Sequence, residues 1–154
     1  MRRLIVFLAV TGTMLPVLMV GLASPATAII RTNETFVLHL DSAGNTVDWS
    51  ASGTFTDSGT WTDPFLLFAG CQDQTPVCEI ELMTVETGSA GTFQMEFQAH
   101  LNVITNPTFF GGTWIISQGT GAYATLAGTG TWSRTIDPST GARTFTCPGV
   151  VHFN

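Results

Sequence analysis

Between Thr92 and Ile104 the chain alternates without a break. Phe93, Met95, Phe97, Ala99, Leu101 and Val103 fall on one side of an extended backbone, and Gln94, Glu96, Gln98, His100 and Asn102 fall on the other. Only the two-residue period of a β-strand separates these sets, since a helix would spread both around its circumference. No segment after residue 28 carries a sustained 3.6-residue period. The same alternation, punctuated by Gly, Asp, Asn and Ser turns, predicts strands at Thr32–Leu40, Val47–Thr56, Thr60–Ala69, Glu79–Glu86, Thr113–Gln118, Leu126–Ile136 and Arg143–Phe153. Pro64 inside the third strand implies an edge, a bulge or a break. Eight strands on hairpin-length connections make an antiparallel sheet whose open edges would invite aggregation, so the sheet is expected to close on itself. The fold class predicted is all-β, an eight-stranded antiparallel β-barrel, with a β-sandwich as the alternative that periodicity alone does not exclude.

The first 28 residues read differently. Arg2 and Arg3 precede an apolar run from Leu4 to Leu22, and Ala26-Thr27-Ala28 is a small-x-small cleavage site with no basic stop-transfer cluster after it. Residues 1–28 are therefore expected to be a secretory signal peptide of bacterial type, cleaved after Ala28, with residues 29–154 as a single barrel domain. The leader takes two of the five basic residues, leaving Arg31, Arg134 and Arg143 against eleven carboxylates, and no lysine. That balance disfavours nucleic acid, which is held through Lys and Arg, and equally an anionic membrane surface once the leader is gone.

Cys71, Cys78 and Cys147 belong to a chain bound for an oxidising compartment. Cys71 and Cys78 flank a polar, proline-containing loop, so the expected disulfide is local, with Cys147 left as a buried thiol. Three scattered cysteines and three scattered histidines do not make a four-ligand metal set, so neither a metal nor a cofactor is expected.

Within Gly112–Trp132, Gly119 and Gly121 bracket Thr120 in a turn that needs positive φ, and Gly128 and Gly130 bare one face of a strand. The bare face leaves room for a bulky group, with Tyr123, Trp114 and Trp132 as candidates; the alternative is that the glycines bend the strand for closure. A phosphate cradle would need a following helix and a P-loop lysine that the chain lacks. The pattern Gly119-Thr120-Gly121-Ala122-Tyr123-Ala124-x-Leu126-x-Gly128-x-Gly130 resembles the segment shared by the allene oxide cyclase and dirigent superfamily, and in particular its small secreted bacterial members. The resemblance implies an eight-stranded antiparallel barrel with a central cavity, often trimeric. In the plant members that cavity steers cyclisation or radical coupling of a reactive apolar intermediate. No catalytic residue of those enzymes carries over to a numbered position here, so whether this chain is an enzyme stays open.

The densest set of functional groups is the polar side of the strand Thr92–Ile104. Were it to line the interior, Glu96 and His100 could work as a general acid/base pair, with Gln98, Asn102 and Tyr123 holding a ligand; facing solvent, it is an ordinary wet strand face. Glu79 and Glu81 share one strand face, which reads as a charged edge that blocks strand pairing. His39 and His152 lie on the first and last strands, which a barrel makes neighbours. Trp49, Trp61, Trp114 and Trp132 are core if buried and a sugar-stacking row if exposed. The functional expectations, in order, are a secreted binding or structural module with a cavity for a small apolar ligand, an isomerase- or cyclase-like enzyme of the same cavity, and a carbohydrate or surface-adhesion module.

Overall fold

The computed structural model describes residues 29–69, 77–102 and 111–154. Eight strands run in sequence order around a closed antiparallel barrel, which settles barrel against sandwich: β1 (Thr32–Leu40), β2 (Thr46–Gly53), β3 (Asp57–Ala69), β4 (Val77–Gly88), β5 (Thr92–Asn102), β6 (Gly111–Gly119), β7 (Leu126–Ile136) and β8 (Arg143–Phe153). Closure is made by β1, which pairs with β2 on one side and with β8, from Thr32↔Val151 to Leu40↔Arg143, on the other. Every strand has a neighbour on both sides, as the alternating pattern demanded, although β2 and β3 pair only from Trp49↔Gly59 to Ala51↔Asp57.

One expected turn is a strand. Asp57-Ser58-Gly59 opens β3 and pairs with Trp49 to Ala51, and the chain turns instead at residues 54–56. Pro64 lies where the β3–β4 register shifts between Thr62 and Phe65, the bulge expected of a proline that has no N–H to give the ladder.

The interior is built from the alternating rows. Phe36 and Leu38, Trp49 and Ala51, Trp61, Ile80, Phe93 to Ala99 in steps of two, Trp114 and Ile116, Phe145, Cys147 and Val151 are all buried. Three of the tryptophans stand directly opposite a glycine of the neighbouring strand: Trp49 opposite Gly59, Trp114 opposite Gly130 and Trp132 opposite Gly112. Trp114 and Trp132 lie across the facing glycine, Trp49 lies against Gly88 one strand further on, and each indole Nε1–H donates to a carbonyl of another strand. Trp49 reaches Thr87 at 3.2 Å and Trp132 reaches Gln98 at 3.2 Å, each past the strand beside it, and Trp114 reaches Thr131 at 3.0 Å and Pro148 at 3.3 Å. Trp61 donates likewise to His39 O at 3.1 Å.

The bare face expected of Gly128 and Gly130 is therefore filled, and its occupant is Trp114. Gly149 of β8 completes the seat: a Cβ there would stand 2.4 Å from Trp114 Cζ2, and one at Gly130 would stand 2.7 Å from Trp114 Cε2 and 2.2 Å from Pro148 O. Because the backbone itself blocks that space, Gly130→Ala is expected to lower stability by about 2–3 kcal/mol, read as a fall in the urea midpoint with the near-ultraviolet signal of a packed indole diminished.

Candidate functional site

The two ends of the barrel differ. At the end where β4 meets β5 and β6 meets β7, a single 3₁₀ turn, Gly121–Tyr123, folds inward. Gly121 takes φ +58°, the conformation its sequence predicted, whereas Gly119 is required for another reason: a Cβ there would meet Tyr123 O at 1.9 Å. The turn is tied to the β4–β5 hairpin by Thr120 N–H to Thr92 O at 2.7 Å and Ala122 N–H to Ala90 O at 2.9 Å. Tyr123 is buried between Phe55 and Phe93, with ring centroids 5.4 and 5.2 Å away. Its hydroxyl donates to Asp57 Oδ2 at 2.5 Å, and Ser89 Oγ donates to Asp57 Oδ1 at 2.9 Å. The tyrosine hydroxyl above all holds the Asp57 carboxyl at about 2, well below the ordinary carboxylate range, while burial and this carboxylate push the phenol upward. Glu34, only 2% exposed, accepts from Thr54 and Phe55 N–H and so pins the β2–β3 turn over the same end. Tyr123, expected as a ligand contact, is part of this plug.

Below the plug sits a buried carboxyl. Glu86 is fully enclosed on the inward row of β4, its Oε1 accepts from Thr84 Oγ1 at 2.5 Å, and its Oε2 has no partner among the described residues. Burial pushes its carboxyl up to about 8, so it is neutral at pH 7. The free thiol of Cys147, buried as the sequence predicted, is raised first by its own burial and then, once Glu86 ionises, by that charge, and it stays protonated and unreactive at neutral pH.

The other end contains a cavity of about 180 Å³. Its walls are Leu40, Ile80, Leu82, Phe97, Ala99, Trp132 and Phe145, and its polar groups are Arg134, Arg143 and Asp63. Arg134 is paired across strands with Phe145, and Arg143 with Ile136 and Leu40, so both arginines lie on rows that run into the interior. Trp132, Phe145 and Phe97 form an aromatic cluster, Trp132–Phe145 at 5.5 Å and Phe97–Trp132 at 6.1 Å. Two tight turns hold the rim: Asp41 accepts from Asn45 N–H and Nδ2 at 2.8 Å, and Asp137 Oδ1 accepts from Ser139 Oγ at 2.6 Å and Ser139 N–H at 2.8 Å. A larger groove of about 570 Å³ lies outside the plugged end, between Ile29–Ile30 and the C-terminal His152–Asn154, with Thr32 and Thr54 also lining it.

The residues singled out from the sequence are not brought together around that cavity. Glu96, Gln98 and His100 alternate with the buried Phe97 and Ala99 and lie on the outer face of β5; His100 and Gln98 are exposed, and Glu96 and Gln98 border a shallow depression of about 50 Å³ with Glu81 and Met83. Glu79 stands opposite His100, and Glu81 opposite Gln98, on that outer face. The side chain of Asn102 and the whole of Cys71 lie outside the described residues, and with Cys71 the expected bridge to Cys78. His39 and His152 do not meet: β1 and β8 are antiparallel, so they sit at opposite ends, and His39 Nδ1 is 2.5 Å from Asp48 Oδ1 instead. All four tryptophans are buried, which removes the sugar-stacking row.

Sequence reasoning missed the cavity arginines, although a signal was present. Arg134 is two residues beyond Trp132 and Arg143 two before Phe145, so strand parity alone turns two of the chain's few cations inward.

No protein-family description matches this chain, and no curated protein does. Among solved structures it is similar to the pterocarpan synthase dirigent protein GePTS1, at 13% identity and a TM-score of 0.40 over 84% of this chain and 94% of that one. It is also similar to the pterocarpan synthase dirigent protein PsPTS1, at 12% identity and a TM-score of 0.32 over 82% of this chain and 96% of that one.

Two titrations follow from this geometry. Glu86 binds its proton more tightly folded than unfolded, so its contribution is fully present below the ordinary value of 4.5 and is lost as pH rises through about 8. The unfolding free energy should fall across that window, and Glu86→Gln should flatten the fall. Asp57 acts in the opposite sense: its contribution is present above 3.8 and is lost as pH falls through about 2. Tyr123→Phe should cost about 1–3 kcal/mol at neutral pH, the range for a hydrogen bond to a charged group, and nuclear magnetic resonance titration should find the Asp57 carboxyl moved back toward 3.8.

Proposed function

We propose that this protein is a secreted binding module whose cavity takes a small apolar molecule. The observation that carries the reading is a cavity of about 180 Å³ that apolar and aromatic side chains wall among the described residues. Concave, largely apolar sites with a few convergent polar groups are where small ligands bind. The size is telling, because a cavity near 150 Å³ is enough for one benzene ring, whereas drug-sized pockets start at about 300 Å³. The cyclase-like reading needs Glu96 and His100 inside, and the outer-face position of both favours binding over catalysis. Export through the leader, cleavage after Ala28, a Cys71–Cys78 bridge and assembly as a homotrimer belong to the same proposal.

Ala99 is buried on the cavity wall, and enlarging it tests the site directly. Ala99→Leu should abolish capture of a ring-sized apolar fluorophore while keeping the fold, with a stability change within about 2 kcal/mol of either sign. Native mass spectrometry of the protein recovered from its own host should show a retained small molecule in the parent and none in the variant, and would report the oligomeric state together with it. A parent that captures no apolar compound, or a variant that binds as well as the parent, would sink the reading.

A further inference from the structure

We infer that Glu86 is a proton-operated lock on the barrel core: while it holds its proton the core stays closed over Cys147, and when it loses that proton the core admits water and opens the thiol to disulfides and other soft electrophiles.

The first support is enclosure. Glu86, Thr84 and Cys147 are buried on inward rows, and the residues paired with Glu86 are Trp61 of β3 and Phe93 of β5, both buried and apolar. Cys147 of β8 stands opposite Phe36 of β1 and is the titratable group that the charge of Glu86 reaches. Two other carboxylates of the plugged end are engaged elsewhere, Asp57 with Tyr123 and Ser89, and Glu34 with the N–H groups of Thr54 and Phe55.

The second support is the count of donors. An ionised carboxylate has about four lone-pair sites to fill. The Thr84 hydroxyl has one hydrogen to give, and it lies 3.3 Å from Met95 O as well as 2.5 Å from Glu86 Oε1. Glu86 Oε2 has no partner among the described residues. A neutral acid tolerates such a place, whereas a charge formed there has to be hydrated. Water reaches a fully enclosed group only when the packing around it parts, and the parted core is the one in which Cys147 is accessible.

Linkage sets the direction with pH. The closed core keeps the Glu86 proton up to about 8, whereas an opened one releases it near the ordinary value of 4.5. Between those values each rise of one pH unit favours the opened form by up to about tenfold. Burial holds the Cys147 thiol protonated in the closed core, so the species that reacts is the thiolate of the opened form.

Alkylation of the protein by iodoacetamide, with the label assigned to Cys147 by peptide mass mapping, reads this opening. Thiolate formation alone raises the rate about tenfold per pH unit below about 8.5. Coupled to the Glu86 proton, the rate should climb by on the order of a hundredfold per unit between about pH 5.5 and 7.5. Glu86→Gln should return the climb to about tenfold per unit, while Glu96→Gln, on the outer face of β5, should leave the steep climb in place. Infrared spectra of the parent need no variant: a carboxylic-acid C=O band should be present at neutral pH and vanish as pH rises through about 8. A climb of only about tenfold per unit in the parent, a steep climb that survives Glu86→Gln in a folded protein, or absence of the acid band at neutral pH overturns the lock and leaves the binding reading standing.

Discussion

An indole laid across a glycine holds this barrel together. A closed sheet of eight strands has a narrow interior, and its inward side chains compete for that space. Three tryptophans resolve the competition by occupying space that a glycine leaves empty, Trp49 against Gly88, Trp114 over Gly130 and Trp132 over Gly112. Each removes a large apolar surface from water and also satisfies its ring N–H on a carbonyl of another strand. Closure and core packing are thus one device, and a Cβ at that glycine would disable both.

That device leaves the two ends of the barrel free to differ. At one end the chain spends its polar groups on itself: Tyr123 on Asp57, and Glu34 on the β2–β3 turn. Glu86 just below is enclosed so completely that it stays neutral at pH 7. At the other end Arg134, Arg143 and Asp63 line a cavity with an aromatic wall behind them. The plug is held by the aromatic contacts of Tyr123 and by its hydrogen bond to Asp57, which tie the 3₁₀ turn to the start of β3.

Much of the architecture was legible in the alternation. The bounds of β1, β7 and β8 match those read from the chain, because hydrophobic period and turn residues agree there. The start of β3 was not legible: Asp57-Ser58-Gly59 has the composition of a turn, yet Gly59 is needed where a Cβ would meet Thr87 O at 1.9 Å, and Asp57 is needed by Tyr123, which is 66 residues away in sequence. Propensity describes a residue's neighbours along the chain, and these requirements come from across it. The candidate site was harder to see for the same reason. Glu96, Gln98 and His100 stood out because they are adjacent in sequence, whereas the cavity draws on β1, β3, β4, β5, β7 and β8 at once.

Sequence by itself determined the period-two rows, the turns between them, the poverty of positive charge and the parity that puts Arg134 in line with Trp132 and Arg143 in line with Phe145. Only the tertiary structure decided which side of each row became the interior, that Trp114 would fill the face bared by the glycines, and that the turn carrying Tyr123 would fold inward over one end. Parity is a local property of the extended backbone. The meeting of two rows depends on how the sheet closes, and closure is set by the packing of all eight strands together.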